Sequence, residues 1–476
     1  MKTPLLPRQR QAGSVLLICL LTAAILGVTL ASYLTLTQTQ HVSVMRSQTW
    51  NASLTLTEAG VEDALAMINL NNGDFETLPL WTNSVTQNNW TDLGGGAYYV
   101  RRYMDSSAWG TNYYDVYITN KATGPTIYSS GTVQWNYSYV PAPQACFATI
   151  DGSDVATAPS SASRRLGVQT KVEPLFAVAM AAIFQINFNG NGVSTDSFDS
   201  ADPNYSDNGL YPRNHPSRQK DAGDVVTDYT ILNALDAGNA NIKGQVKTGP
   251  GGTIAIGPNG KVGDKAWVEN PNTTGIQPGH SANDMNVQFP NVTLPSASWL
   301  PATPGNYLIN GKSYGYAVHT SGDYSMTFTG NANDNVYIGT NVTARLKFVG
   351  DVKLTGSEEI RLASGAQVRV YMTGHEFSIA GNGIVNETGN AANFYYFGLP
   401  ANTIVSFNGN ASFTGAIYAP QADFSLGGGG NDTYDFVGAS ITRSVKMNGK
   451  FNFHYDENLR RIGLGRGYIP TNWAEN

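Results

Sequence analysis

The side chains best equipped for chemistry are carboxylates crowded into one polar loop. Asp196, Asp199, Asp202 and Asp207, with Asn204 among them, fall within TDSFDSADPNYSD. Hard oxygen ligands gathered in a loop suit Ca²⁺. The spacing is not that of an EF-hand, because the turn glycine and the terminal glutamate are missing. A solvated loop whose aspartates cap turns accounts for the same residues, so a calcium site and turn capping compete here. A second cluster, Asp351, Lys353, Glu358, Glu359, Arg361 and Arg369, falls on neighbouring predicted strands. Acids and bases on one face of a β domain could cleave a carbohydrate, but cross-strand ion pairing explains them more simply. The 6 histidines form no H-x-H or H-x-x-x-H pattern, so zinc is not signalled. No G-x-S-x-G elbow, P-loop or dinucleotide fingerprint stands between a strand and a helix. The glycines Gly427–Gly430 read as a tight turn. The expectation is a non-enzymatic chain with no cofactor beyond that calcium ion.

Composition describes the elements that must carry these residues. The chain has 476 residues, enough for two or three domains. Only 13% are charged, against roughly 25% in an average soluble domain, and 51 are glycine. That is the texture of a turn-rich β protein. A net charge of −6 carries no basic stripe and argues against a nucleic-acid partner. Cys19 lies inside an apolar run and Cys146 far from it, so no disulfide within the chain is expected.

Lys2, Arg8 and Arg10 precede that apolar run, which extends from Ser14 to Leu36. At about 1.5 Å per residue it spans a hydrocarbon core of roughly 30 Å. No basic residue follows until Arg46, which places the N-terminus in the cytoplasm. The run is too long for the apolar core of a cleaved secretory signal, and Ile18 before Cys19 does not suit a lipoprotein signal. Helical spacing continues from His41 to Asn72, with Leu54, Val61, Leu65 and Ile68 on one face, and Asn72-Gly73 is a stop.

The order of basic leader, Gln11-Ala12-Gly13, Ser14 and apolar helix resembles a class III prepilin signal. With Glu58-Ala59-Gly60 on the following helix, residues 8–70 resemble minor pilins of the type IV class with a PilX-type N-terminus. The resemblance implies peptidase cleavage between Gly13 and Ser14, with the span retained on the mature protein. It also implies partners: other pilin-like subunits and the inner-membrane assembly machinery. Major pilins carry a glutamate at mature position five, thought to neutralise a neighbour's N-terminal amine; here that position is Ile18. A buried, unpaired ammonium is costly, so Ile18 points to a tip or priming position, or to a divergent lineage.

Beyond the helix, AYYVRRYMD, YYDVYITN, PTIYSS, TVQWNYSYV and RRLGVQTKV read as an antiparallel meander, the last of them its final strand. Leu175–Phe188 is too short to span a membrane and reads as a buried helix or the opening strand of another domain. From there to Tyr455, short alternating strands such as ARLKFVGDVKLTG and IRLASGAQVRVYMTG are separated by Asn-Gly and Thr-Gly turns. That pattern suggests a β-solenoid, although a sandwich or jelly roll gives the same texture. The segment from Gly415 to Leu459 resembles the C-terminal signature of an uncharacterised family found behind pilin-type N-termini and thought to form a β-helix.

The expected fold is therefore an α+β pilin-like module followed by an all-β, right-handed parallel β-helix. Expected boundaries are a leader at 1–13, a span at 14–36, a helix and meander at 37–172, a solenoid at 173–456 and a tail at 457–476. The expected protein is a single-pass inner-membrane subunit of a pilus or secretion apparatus, presenting its β domain for priming, adhesion to a surface glycan or protein, or substrate contact. The alternatives are a membrane-anchored β-helix that binds or cleaves carbohydrate, and a plain single-span envelope protein.

Overall fold

The computed structural model describes residues 12–70, 88–107, 110–119, 124–135, 160–190, 192–328, 334–380, 382–408, 413–428, 434–462 and 464–475. Leader residues 1–11, Cys146 and part of the Gly427–Gly430 run lie outside the described residues. The chain divides into two units. One comprises Met1–Leu70, Leu80–Lys171 and Tyr468–Asn476; the other comprises Asn71–Pro79 and Val172–Gly467.

The first unit opens with helix α1, Ala12–Ile68, 57 residues without a proline to break it. Its apolar half carries hydroxyls that bond back to their own helix. Thr22 donates to the Cys19 carbonyl, Thr29 to Leu26, Ser32 to Val28 and Thr35 to Ala31. They therefore need no water, as a hydrocarbon surrounding demands.

The sheet of this unit is an antiparallel meander of β1 (Thr91–Gly94), β2 (Ala97–Ser107), β3 (Gly110–Thr119), β4 (Thr126–Trp135) and β5 (Ser160–Pro174). Period-two alternation buries Val100, Val116, Ile118, Ile127 and Val168 on one face. Register follows: Val100 faces Val116, Ile118 faces Ile127, and Ile127 faces Val168.

Two expectations need correcting here. The strand expected to be last, RRLGVQTKV, lies within β5 but does not end the sheet. The residues expected as a tail, 457–476, form a helical turn at Leu459–Ile462 and a sixth strand, Gly465–Glu475, beside β5. The Arg164 Nε donates to Glu475 at 2.7 Å, and Thr471 Oγ1 donates to the Gln169 carbonyl at 3.1 Å. The Asn69 amide at the end of α1 brackets the backbone of Tyr468, donating to its carbonyl at 3.0 Å and accepting from its N–H at 2.5 Å. Those bonds hold a strand that contains Pro470, a residue confined to edges and bulges of sheets.

The second unit is largely β. Among the described residues its strand ladders are parallel, apart from the hairpin of Tyr307–Ile309 with Lys312–Tyr314 and the isolated antiparallel bridges Ser197 to Lys220 and Asp207 to Leu210. One register column shows how the chain runs. Tyr324 pairs with Leu346, then Val370, Tyr396, Ile417 and Ser440 in turn. From Ser440 the column passes to Met180, then to Val225, Val246 and Ser281. Spatial order therefore departs from sequence order at one seam, where the last strands of the unit stack on its first.

The chain starts at the middle of the stack, runs to one end near Ser281, returns, and fills the other half from Leu300 onward. The returning segment, 283–299, lies across the strands. Met285 N–H donates to the Thr248 carbonyl, Tyr418 OH to the Pro290 carbonyl and Gln421 Nε2 to Asn291. Trp299 then meets the edge of Tyr371 at 6.0 Å.

The core of the unit is the inward side of these columns. Phe413, Phe436 and Phe453 stack with centroids 4.4 and 4.3 Å apart, and Phe453 is followed across the seam by Thr195 and Ile242. The stretch Leu175–Phe188 contributes two short strands, Met180–Ala182 and Ile186–Phe188, rather than a helix.

Candidate functional site

Helix α1 has two surroundings along one rod. From Val15 to Leu36 its large apolar side chains stand exposed, with Leu16, Leu17, Ile18, Leu20 and Leu26 all more than half accessible. Among the described residues it is the one helix long and apolar enough to cross a membrane, and none of that apolar window is buried by the rest of the chain. Gly13 and Ser14 lie in its first turn, and Ile18 one turn further on.

The other half is seated on the meander. The stripe that goes under is Ser53, Thr57, Gly60, Val61, Ala64 and Ile68, all buried. Expected stripe members Leu54 and Leu65 are only half-buried. Small residues win because backbones approach closely here. The Thr57 hydroxyl accepts from Gly131 N–H at 3.0 Å, while the Thr57 carbonyl accepts from Ser129 Oγ at 2.7 Å. A Cβ on Gly60 would collide with Ser129 Oγ and stand 2.9 Å from Val116 Cγ2. A Cβ on Gly131 would meet the Ser53 carbonyl and lie 2.5 Å from Thr57 N. Within the predicted motif, Gly60 is therefore a contact residue, Ala59 is half-buried, and Glu58 faces solvent. Asp63, one turn on, takes Arg102 at 3.3 Å and the Tyr114 hydroxyl at 3.2 Å. Burial, with the Asp63 charge and hydrogen bond, pushes the Tyr114 hydroxyl up to about 12.

The four aspartates expected to share calcium are placed near the seam, each with its own partner. Asp196 accepts from His454 Nδ1 at 2.6 Å and from Tyr211 OH at 2.8 Å. Asp199 pairs with Arg461 and caps Ala201 N–H. Asp202 caps Asn204 N–H, and Asp207 pairs with His215 at 2.8 Å and Arg218 at 2.5 Å. Among the described residues, no three such side chains are grouped so as to hold a metal ion.

What sequence reasoning missed is His454, 3% exposed and in register with Asp196 across the seam. Its ring stacks on Tyr211 with centroids 3.5 Å apart, and its Nε2 stands 3.4 Å from Asp435, an ion-pair separation rather than a well-formed hydrogen bond. Asp435 in turn pairs with Arg213. Burial by itself would lower the imidazole pKa. The Asp196 charge and hydrogen bond, joined by Asp435, outweigh burial and raise it above 6.5. No local pattern could have revealed a pair 258 positions apart.

The second cluster also separates into ion pairs. Glu359, 1% exposed, accepts from Tyr314 OH at 2.7 Å and Arg361 Nε at 2.6 Å, and pairs with Lys312 at 2.8 Å. Burial alone would raise its pKa, but these hydrogen bonds hold the carboxyl down at about 2. Lys353 pairs with Glu376, Arg361 also with Glu387, Asp351 caps His375 N–H, and Glu358 caps Thr355 N–H. Arg369 is in register with Arg345 and Tyr395 and, with them, lines a surface cavity of about 290 Å³.

Comparison with known proteins gives likenesses of two kinds, to a family model and to a solved structure. A family model described as a domain of unknown function, DUF7305, matches residues 309–462, less than half the chain. A solved structure, the competence-associated pilin ComZ from Thermus thermophilus, aligns over 90% of this chain and 97% of its own at 11% identity, with a TM-score of 0.28. No curated protein matches.

Two predictions follow from the geometry. Gly60→Leu should cost the first unit about 1–3 kcal/mol or more through overpacking. Gly27→Leu, with nothing within 4 Å of its added Cβ, should leave stability unchanged; denaturant unfolding in detergent compares the two. For His454, the folded pKa lies above the unfolded one. Its contribution is therefore complete below about pH 6.5 and is lost as pH rises through the raised folded value. The melting temperature difference between wild type and His454→Gln should be largest under mildly acidic conditions and shrink as pH rises.

Proposed function

We propose that this chain is a non-enzymatic, membrane-anchored subunit of the pilin type, cut between Gly13 and Ser14 and retaining Ser14–Leu36 as its span. The observation that carries this reading is the division of α1. One unbroken helix leaves its apolar half without partners in its own chain and seats its other half on a small meander. An apolar surface of that length needs lipid, or the matching helices of other subunits. With cations ahead of the span, the N-terminus is cytoplasmic, and the meander and the second unit lie beyond the membrane.

Ile18 refines the position. In a filament core it offers no carboxylate to a neighbour's amine, which suits a subunit used at few positions, at the tip or in priming assembly. The size of the second unit favours the same place, because nearly 300 residues of β structure are hard to repeat at every subunit. We read the parallel columns of that unit as turns of a right-handed β-helix, presented for adhesion or substrate contact. The carbohydrate-cleaving alternative draws no support from the second cluster, whose carboxylates are already paired or capping.

N-terminal sequencing of the mature protein, with and without prepilin peptidase, tests the reading. Ser14 is expected at the N-terminus with the enzyme, and an intact leader without it. An uncut leader in the enzyme's presence, or cleavage beyond Leu36, would contradict it.

A further inference from the structure

The face of the meander opposite α1 carries its own chemistry. Alternation that sends Tyr114, Val116 and Ser129 under the helix sends Tyr117, Asp115, Tyr128 and Ser130 outward. Register lines these up in two rows. Tyr99, Tyr117 and Tyr128 stand opposite one another and end at Gly167, which has no side chain to fill the place beside Tyr128. The neighbouring row runs Arg101, Asp115, Ser130 and Arg165. Tyr117 is 45% and Tyr128 40% exposed, which is unusual for aromatic rings in mid-sheet. Between the rows lies a cavity of about 440 Å³ lined by Asp115, Tyr117, Tyr128, Ser130 and Arg165.

Charge on this face is unbalanced along β5. Asp115 is committed to Arg101 by two hydrogen bonds, at 2.7 and 2.9 Å, and takes the Tyr99 hydroxyl at 2.6 Å. Burial would raise its pKa, but Arg101 and Tyr99 hold the carboxyl below its ordinary range. Arg101 and Asp115 thus neutralise each other. Arg165, exposed at the other end of the row, pairs with no carboxylate among the described residues.

We propose that this face binds an acidic saccharide. Sugar rings would lie on Tyr117 and Tyr128, with a ring carboxylate on the Arg165 guanidinium. Exposed phenol rings offer apolar faces to the C–H side of a pyranose and hydroxyls to its rim, and a guanidinium fork matches a carboxylate in two parallel hydrogen bonds. A neutral sugar would leave Arg165 unanswered; a purely aliphatic partner would leave the tyrosine hydroxyls and Ser130 desolvated. The site belongs to the sheet itself and does not rest on filament assembly.

The test is titration calorimetry of the full chain in detergent with trigalacturonate and, separately, neutral cellotriose. Trigalacturonate should bind at least tenfold more tightly than cellotriose. Tyr117→Ala and Tyr128→Ala should each weaken it tenfold or more, and Arg165→Gln should reduce it to the cellotriose level. All three positions are outward-facing, and unchanged melting temperatures would show that the variants are folded. The proposal is overturned if trigalacturonate fails to bind at millimolar concentration, if the two sugars bind alike, or if the variants bind as wild type does. It is also overturned if light scattering shows the face closed by a second copy that Tyr117→Ala releases.

Discussion

The pairing of β5 with the C-terminal strand is the contact on which the rest of the molecule depends. It obliges the chain to leave the first sheet at Pro174 and return at Gly465 on a neighbouring strand. Nearly 300 residues are thereby an insertion whose two ends must lie side by side. The second unit shows the consequence at its own ends: Leu175 N–H donates to the Leu464 carbonyl at 2.7 Å, and Glu173 pairs with Arg466. A stack of parallel strands laid down in sequence order would have its ends at opposite extremes. This unit begins and ends in the middle instead, and segment 283–299 carries the chain back along the stack.

That solution places a demand on the seam. Every other step in a column joins strands close in sequence, so loop closure costs little there; at the seam the partners are hundreds of residues apart. A one-residue slip inverts the faces and is opposed by burial, whereas a two-residue slip keeps them and must be opposed by the identity of the side chains. The polar groups at the seam answer this. Asp196 meets His454, Ser194 donates to Asn452 at 2.6 Å, and Ser197 donates to Glu457 at 2.9 Å. A shifted register would leave Asp196 and His454 buried without each other, a penalty that alkyl side chains could not impose.

Much of this architecture was legible in the sequence, and the failures share a cause. The apolar run, the helix beyond it and the tyrosine-rich meander announce themselves through local composition and period. The C-terminal strand does not, because Gly465, Gly467 and Pro470 interrupt any alternation and only its partners make it a strand. The helix face that seats on the sheet was misjudged because apolar spacing points to Leu54 and Leu65. Close backbone approach instead selects Ser53, Thr57 and Gly60, whose value lies in being small or in bonding across. The aspartate loop was visible, but not its partners: Asp196 belongs to His454 and Asp199 to Arg461, across the seam. Long-range pairing leaves no mark on nearby residues.

Hydrogen exchange on the full chain, compared with a chain lacking residues 465–475, tests the central claim most directly. If the larger unit is an insertion closed by that strand, deletion should speed exchange in Arg164–Thr170 of β5 and in the Ser53–Ile68 half of α1. The Phe413–Phe436–Phe453 region should keep its protection. Unchanged exchange throughout β5 and α1 would contradict the account and make residues 465–475 the tail that their sequence suggests.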